Sequence, residues 1–220
     1  MMNRLAVFDC DGTLVDSQAT ICLAMERGFA ACGMAAPGDA ATRSIIGLSL
    51  LEAIAVLHPK GSADDHEALS QAYKDAFFAL RTAGLANEPL YDGIAEAIAD
   101  LDARGWLLGV ATGKSDRGLK HILEHHGLHP RFVTLQTADR HPSKPHPSML
   151  EQAMADAAAT PATTAMIGDT RFDMEMAKAA GCAAIGVSWG YHNEQELRDG
   201  GADMVADHPS ALVAILEALA

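Results

Sequence analysis

The sequence predicts an α/β fold, a doubly wound, Rossmann-like parallel sheet core with an inserted α-helical cap domain. Two observations carry this prediction. Short apolar runs that end in polar, glycine-containing turns alternate with helical patterns, which is typical of βαβ units in a parallel sheet. Residues 16–88, which follow the first of these runs, contain helical patterns and no convincing strand. A chain of 220 residues is long enough to close a sizeable core with such an insert.

The core is expected to comprise residues 1–15 and 89–220. Its predicted strands are the apolar runs Leu5–Phe8, Leu107–Ala111, Phe132–Leu135, Ala165–Gly168 and Ala183–Val187. Its predicted helices, each followed by a glycine that can end a helix, are Ile94–Arg104, Ser115–His126 and Phe172–Ala180. The alanine-rich stretch 153–162 is expected to be helix plus turn.

The segment 16–88 is expected to be the helical cap. Ser17 can cap a helix that runs to about Cys32, where Gly33 can end it. Further helical patterns cover Leu50–Leu57 and Asp64–Arg81, the second with apolar residues along one face.

The composition excludes several classes of function. The formal net charge is −13, which argues against a nucleic-acid binder or a membrane-surface protein. No apolar run approaches the ~18–20 residues of a membrane span. The run Leu5–Phe8 is too short for a signal peptide, so a cytoplasmic location is expected. The four cysteines show no CxxC spacing, and we expect buried free thiols.

Polar side chains collect at the carboxyl ends of predicted strands, where open α/β sheets bind ligands. The first strand is followed by Asp9 and Asp11, the second by Thr112 and Gly113, and the fourth by Asp169, with Asp173 one helical turn further on. A fourth cluster, around Lys144 in a Lys-Pro-x-Pro sequence, precedes a helix.

The charges of these residues suggest their chemistry. Asp9, Asp11 and Asp169 would repel one another in one crevice, and a divalent cation such as Mg²⁺ removes that penalty. Asp173 can support the metal, or it can simply be an acidic partner of a helix N-terminus. A cation together with Lys144 and Thr112 makes a receptor for a phosphoryl group. One carboxylate is then free to act as a nucleophile and the second as a general acid and base.

This arrangement resembles the haloacid dehalogenase superfamily of phosphohydrolases, over nearly the whole chain. The first motif is similar to the sequence that starts at Asp9-x-Asp11-Gly12-Thr13, the second to Thr112, the third to Lys144, and the fourth to Gly168-Asp169-x-x-x-Asp173. The segment from Phe172 to His192 is similar to phosphoglycolate phosphatases and related small-phosphate hydrolases.

The resemblance implies roles for individual residues. Asp9 would be the nucleophile and Asp11 the general acid and base. Thr112, with the adjacent Gly113, and Lys144 would bind the phosphoryl group, while Asp9, the backbone carbonyl of Asp11, and Asp169 would hold Mg²⁺. The helical insert would be the cap that sets specificity.

The expected substrate is a small phosphorylated metabolite, bound by a monomer or a homodimer. In the cap, the turn from Arg43 to Ser49, with Gly47 in it, is expected to meet the leaving group. Arg43 can contact a second anionic group, such as a carboxylate, or be an ordinary surface arginine.

Several alternatives stay open. A phosphomutase of the same superfamily shares the two aspartates, and a hydrolase of pyrophosphate, nucleotides or sugar phosphates uses the same site. From a different class, a receiver-like or non-catalytic phosphate-binding module also places acidic residues at strand ends. A nucleotide-binding P-loop is excluded because Leu108 stands where its first glycine is needed. Lys114 is expected either near the phosphate or at the rim of the site.

Overall fold

The computed structural model describes residues 3–219. A parallel sheet of six strands in the order β3-β2-β1-β4-β5-β6 forms its centre, which confirms the doubly wound α/β prediction. The strands are β1 (Asn3–Phe8), β2 (Leu107–Thr112), β3 (Thr134–Thr137), β4 (Ala159–Gly168), β5 (Ala183–Val187) and β6 (Met204–Ala206).

Ten α-helices within the described residues accompany the sheet. Four of them lie within residues 16–88: α1 (Gln18–Ala31), α2 (Asp39–Arg43), α3 (Leu50–Leu57) and α4 (Ala63–Thr82). The others are α5 (Ile94–Ala103), α6 (Asp116–His125), α7 (Ser148–Ala157), α8 (Arg171–Ala179), α9 (Glu194–Asp199) and α10 (Leu212–Leu219). No helix within residues 3–219 is both long and apolar enough to cross a membrane.

The central strand β1 explains why its sequence is a continuous apolar run. Leu5 and Val7 belong to an apolar cluster that includes residues of α7 and α8. Ala6 and Phe8 belong to another cluster, which includes residues of α5, α6 and α10. Successive side chains of a strand point to opposite faces, and here both faces are covered. Cys10 continues the Ala6 and Phe8 series and is fully buried, so it packs as expected.

The structure corrects three details of the predicted strands. The stretch 153–162 is not helix plus turn throughout, because α7 ends at Ala157 and β4 already begins at Ala159. Ala158 makes this sharp change of direction with a φ of 48°. The third strand lies two residues later than predicted, at Thr134–Thr137, and the short sixth strand was not predicted.

Helices α1–α4 lie between β1 and β2 and have an apolar cluster of their own. It consists of Met25, Phe29, Ile45, Ala53, Ile54 and Leu69, which come from α1, α3, α4 and the turn after α2. We call residues 16–88 the helical insert. Burial of this separate cluster allows the insert to pack as a unit beside the sheet.

Candidate active site

The sheet order places the key acidic residues side by side. Strand β1 pairs with β2 on one side and with β4 on the other. Asp9 follows β1 directly, Thr112 ends β2, and Asp169 follows β4 directly. Because the strands are parallel, their carboxyl ends meet at one edge of the sheet. This edge is the usual ligand site of a doubly wound fold.

Three buried carboxylates meet around one lysine at this edge. Asp9, Asp169 and Asp173 each offer an oxygen, and these oxygens all lie within 4.8 Å of one another. The Lys144 ammonium lies 2.9 Å from Asp9 Oδ1 and 2.6 Å from Asp173 Oδ1. We call these four residues the carboxylate cluster. They come from three separate parts of the chain, which meet at this edge of the sheet.

The carboxylate cluster shifts the ionisation of its members. Burial raises the pKa of Asp9 from 3.8 to about 7, although Lys144 opposes the shift. Burial, followed by repulsion from Asp9 and Asp173, raises the pKa of Asp169 well above its ordinary value. Burial alone would lower the pKa of Lys144, but Asp173 and Asp9 outweigh it and raise that pKa. The lysine is therefore a permanent cation.

The residues present fit a divalent cation. Three carboxylates face one ammonium, which leaves two formal negative charges in a buried volume. Lys144 forms an ion pair with Asp9, and within residues 3–219 no other group donates a hydrogen bond to either Asp9 oxygen. Buried carboxylate oxygens without partners are costly, and they are the ligands that Mg²⁺ prefers.

Asp169 is held from two sides. Its Oδ1 accepts a hydrogen bond from the Thr13 hydroxyl at 3.0 Å, and its Oδ2 accepts one from the Tyr191 backbone N–H at 2.9 Å. Gly12 lies against the same carboxylate with a φ of 88°, and a Cβ at this position would collide with it. The turn after β1 and the loop after β5 therefore fix the position of Asp169.

Asp11 points to a different set of partners from those of Asp9. Its Oδ1 accepts hydrogen bonds from the Ser17 hydroxyl at 2.5 Å and from the Lys114 ammonium at 2.7 Å. Ser17 precedes α1, as predicted, but its side chain makes no capping hydrogen bond because it binds Asp11 instead. The Asp11 side chain is not part of the carboxylate cluster.

Lys114 also contacts Glu88, which the sequence did not single out. The ammonium lies 3.3 Å from Glu88 Oε1, and the side chain of Lys114 is only 10% exposed. Lys114 therefore lies inside the site rather than at its rim, and it is bound to the carboxylates of Asp11 and Glu88. The only sequence signal for it was its position two residues after Thr112.

Thr112 and Gly113 lie where the sheet meets the helical insert. Thr112 is buried, and its hydroxyl accepts a hydrogen bond from the Lys114 backbone N–H at 3.2 Å. A Cβ on Gly113 would lie 2.8 Å from the Gly47 carbonyl oxygen and closer still to that of Leu48. The turn at Gly47 therefore packs directly on the loop that follows β2.

A cavity of about 940 Å³ opens between this sheet edge and the helical insert. The core lines it with Asp9, Asp11, Thr112, Gly113 and Lys114, and the insert lines it with Gly47, Tyr73, Phe77 and Arg81, among others. Arg43 is exposed and does not line the cavity, so the structure does not bring it together with the other candidate residues.

Fold and site together define a doubly wound α/β enzyme whose centre is built from carboxylates and one buried lysine. Comparison with known proteins gives the family. The model of the haloacid dehalogenase-like hydrolases matches residues 6–187. The chain belongs to this family, and it is a phosphatase, a hydrolase of phosphoric monoesters.

Individual relatives match over nearly their full length. The chain is 36% identical to the probable phosphatase IndB of Dickeya dadantii (strain 3937), covering 99% of this chain and 95% of that protein. It is 28% identical to a phosphoglycolate phosphatase of Vibrio parahaemolyticus serotype O3:K6 (strain RIMD 2210633), with coverage of 97% and 96%. The crystal structure of a predicted phosphatase from Clostridium acetobutylicum matches with a TM-score of 0.87 at 25% identity, covering 99% and 100% of the two chains.

Proposed function

We propose that the protein is a Mg²⁺-dependent phosphatase that hydrolyses a small phosphorylated metabolite, similar to phosphoglycolate, through an aspartyl-phosphate intermediate. The observation that carries the proposal is the position of Asp9. Within the described residues, the Lys144 ammonium is the one group that contacts its two buried oxygens as a possible donor. A carboxylate held in this way is available to attack a phosphorus atom.

The proposed reaction has two steps, and Asp11 returns to its starting protonation state at the end of them. In the first, an Asp9 oxygen forms a bond to phosphorus, the bond to the leaving oxygen breaks, and Asp11 donates a proton to that oxygen. In the second, Asp11 takes a proton from water as the water oxygen attacks phosphorus, which frees Asp9 and inorganic phosphate. Asp11 ends the cycle protonated, as it began it.

The phosphoryl oxygens need donors and positive charge during both steps. The Lys144 ammonium, the Thr112 hydroxyl and the backbone at Gly113 are the groups that we assign to them. Asp9, the backbone carbonyl of Asp11, and Asp169 would hold Mg²⁺, with Asp173 in support. The ion would supply further neutralisation of the charge on the phosphoryl group.

The helical insert would act as the cap of this site, with residues 1–15 and 89–220 as the hydrolase core. Its apolar cavity residues Tyr73 and Phe77 would keep water from the acyl phosphate, and Gly47 would bring the insert backbone close to the phosphate loop. The contact of Arg43 with a substrate carboxylate stays a prediction. If Arg43→Ala lowers kcat/KM equally for phosphoglycolate and for an uncharged phosphate ester, no such contact exists.

A phosphate-release assay tests the proposal. The wild-type protein is expected to release inorganic phosphate from p-nitrophenyl phosphate with Mg²⁺, and to lose this activity with a chelator. Asp9→Asn should abolish turnover while the circular dichroism spectrum stays unchanged. Turnover that survives in a folded Asp9→Asn variant would contradict the proposal.

The same assay, run on several phosphate compounds, identifies the preferred class of substrate. A screen over phosphoglycolate, pyrophosphate, sugar phosphates and nucleotides should give the highest kcat/KM for a small phosphate ester such as phosphoglycolate. Isomer exchange of a sugar phosphate without release of inorganic phosphate would indicate a phosphomutase instead.

A further inference from the structure

Four charged side chains form a chain from the helical insert to Asp11, in which Arg81 is partly exposed and the other three are largely buried. Arg81 of α4 lies 2.8 Å from Glu88 Oε2, Glu88 Oε1 lies 3.3 Å from Lys114, and Lys114 lies 2.7 Å from Asp11 Oδ1. The charges alternate in sign, so the chain is formally neutral. We call these residues the charge chain.

The central lysine of the charge chain is well fixed. The side chains of Lys114 and Glu88 are only 10% and 6% exposed, so solvent screens this ion pair little. The ammonium also lies 5.7 Å from the centre of the Phe77 ring. Glu88 is anchored by its own backbone carbonyl, which accepts a hydrogen bond from His126. Lys114 therefore has little freedom to move.

The hydrogen bonds to Asp11 distinguish its two oxygens. Ser17 and Lys114 both donate to Oδ1, and within residues 3–219 no donor contacts Oδ2. An oxygen that already accepts two donors is a poor position for a proton. Oδ2 is therefore the Asp11 oxygen that these contacts leave free to face the leaving group.

We propose that Lys114 is a positioning residue, which fixes Asp11 Oδ1 and so orients the carboxyl group with Oδ2 free to face the leaving oxygen, and that Glu88 holds Lys114 in place for this task. The inference rests on the proposed function, in which Asp11 is the general acid. It assigns no contact between Lys114 and the substrate.

The need for a proton on the leaving oxygen provides a selective test. p-Nitrophenolate leaves readily without a proton, whereas phenolate, which has nearly the same shape, depends more on a general acid. The value of kcat/KM reports on steps up to the first irreversible one, which includes departure of the leaving group. Lys114→Met should therefore lower kcat/KM for phenyl phosphate by about 100-fold, within the range of general acid catalysis, and by less than about 10-fold for p-nitrophenyl phosphate.

Inorganic phosphate separates positioning from substrate binding. If Lys114 only positions Asp11, the inhibition constant of inorganic phosphate should stay within about 2-fold of the wild-type value in Lys114→Met, since a change of that size is under 0.5 kcal/mol. A loss of phosphate affinity together with an equal loss of activity on both esters would show that Lys114 binds the phosphoryl group. This result would overturn the inference.

Two further variants keep the test decisive if Lys114→Met does not fold. Lys114→Arg retains a cation between the carboxylates and should recover part of the phenyl phosphate activity. Glu88→Gln should show the same selective loss as Lys114→Met at a smaller size, and an equal effect on both esters in this variant would also overturn the inference. Lys120→Met removes an exposed lysine from α6 and is the control, which should leave kcat/KM unchanged for both esters.

The outcomes also separate this inference from the proposed function. If the function is wrong, the wild-type protein releases no phosphate from either ester or Asp9→Asn stays active. If only the inference is wrong, the wild-type protein is active and Lys114→Met affects the two esters alike or not at all.

Discussion

Asp173 binds Lys144 with one carboxylate oxygen and caps the N-terminus of helix α8 with the other. Its Oδ1 lies 2.6 Å from the Lys144 ammonium, while its Oδ2 accepts hydrogen bonds from the Thr170 backbone N–H and hydroxyl. The sequence left open whether Asp173 supports the site or the N-terminus of α8. The structure shows that it caps the helix and orients the lysine at once, and support of a metal stays a proposal.

Asp173→Asn should therefore harm activity more than folding. An asparagine can place its carbonyl oxygen toward Lys144 or toward Thr170, but its amide group then meets a donor on the other side. Loss of the cap costs about 1 kcal/mol. We expect kcat/KM to fall by about 10–100-fold, as for other residues that orient a catalytic group. Phosphate-release kinetics and urea unfolding measure the two effects.

Asp65→Asn is the matched control for this experiment. Asp65 takes the same place in the capping box of α4, where it pairs with Ser62 on the surface. It lies far from any residue of the carboxylate cluster in the sequence and makes no contact with Lys144. A loss of activity in Asp65→Asn similar to that in Asp173→Asn would show that helix capping alone explains the effect.

Gly12→Ala should damage the site through Asp169. The backbone at Gly12 has a φ of 88°, which costs a residue with a Cβ about 1–2 kcal/mol, and that Cβ would also collide with the Asp169 carboxylate. Gly84→Ala is the control, because Gly84 has a φ of 68° but nothing within 4 Å of a Cβ. We expect both variants to lose stability in urea unfolding, but only Gly12→Ala to lose Mg²⁺-dependent activity. Full activity in Gly12→Ala would contradict the tight fit at Asp169.

The stability of the metal-free protein should depend on pH through Asp9. Its pKa is about 7 in the folded protein and has an ordinary value of 3.8, so between these values the folded protein binds the proton more tightly than the unfolded chain. The free energy of unfolding contributed by Asp9 therefore falls as the pH rises through this range. A bound cation competes with that proton.

Thermal unfolding with Mg²⁺ or a chelator measures this linkage. The increase in Tm caused by Mg²⁺ should be larger at about pH 8 than at about pH 5, where protons occupy the Asp9 carboxyl group. Asp9→Asn, which has no titrating group at this position, should show a smaller difference between the two pH values. An equal Mg²⁺ effect at both pH values in the wild-type protein would indicate that the cation does not bind at Asp9.

The sequence predicted the parts of the molecule that local patterns determine. The apolar run before Asp9 gave β1 because both faces of a central parallel strand are buried. The start of β4 at Ala159 was missed because the alanines before it continue a helical pattern, and the pairing of Asn3 with Ala159 is a contact between distant parts of the chain.

In the candidate site, too, the sequence predicted the residues that follow a local pattern but not those placed by tertiary contacts. Asp9, Thr112 and Asp169 could be found because each follows an apolar strand, and parallel strands share one edge. Glu88 could not be found in this way, because it lies in no motif and meets Lys114 only when folding brings these distant parts of the chain together. Burial and pairing of charged side chains depend on tertiary packing, which no local pattern encodes.

The most direct test of the account is to identify the residue that becomes phosphorylated. Borohydride reduces an aspartyl phosphate to homoserine, so protein quenched with borohydride during turnover of p-nitrophenyl phosphate can be digested and analysed by mass spectrometry. The account predicts homoserine at position 9 and an unchanged Asp11. Reduction at Asp11, or at no aspartate during rapid turnover, would contradict the assignment of Asp9 as the nucleophile.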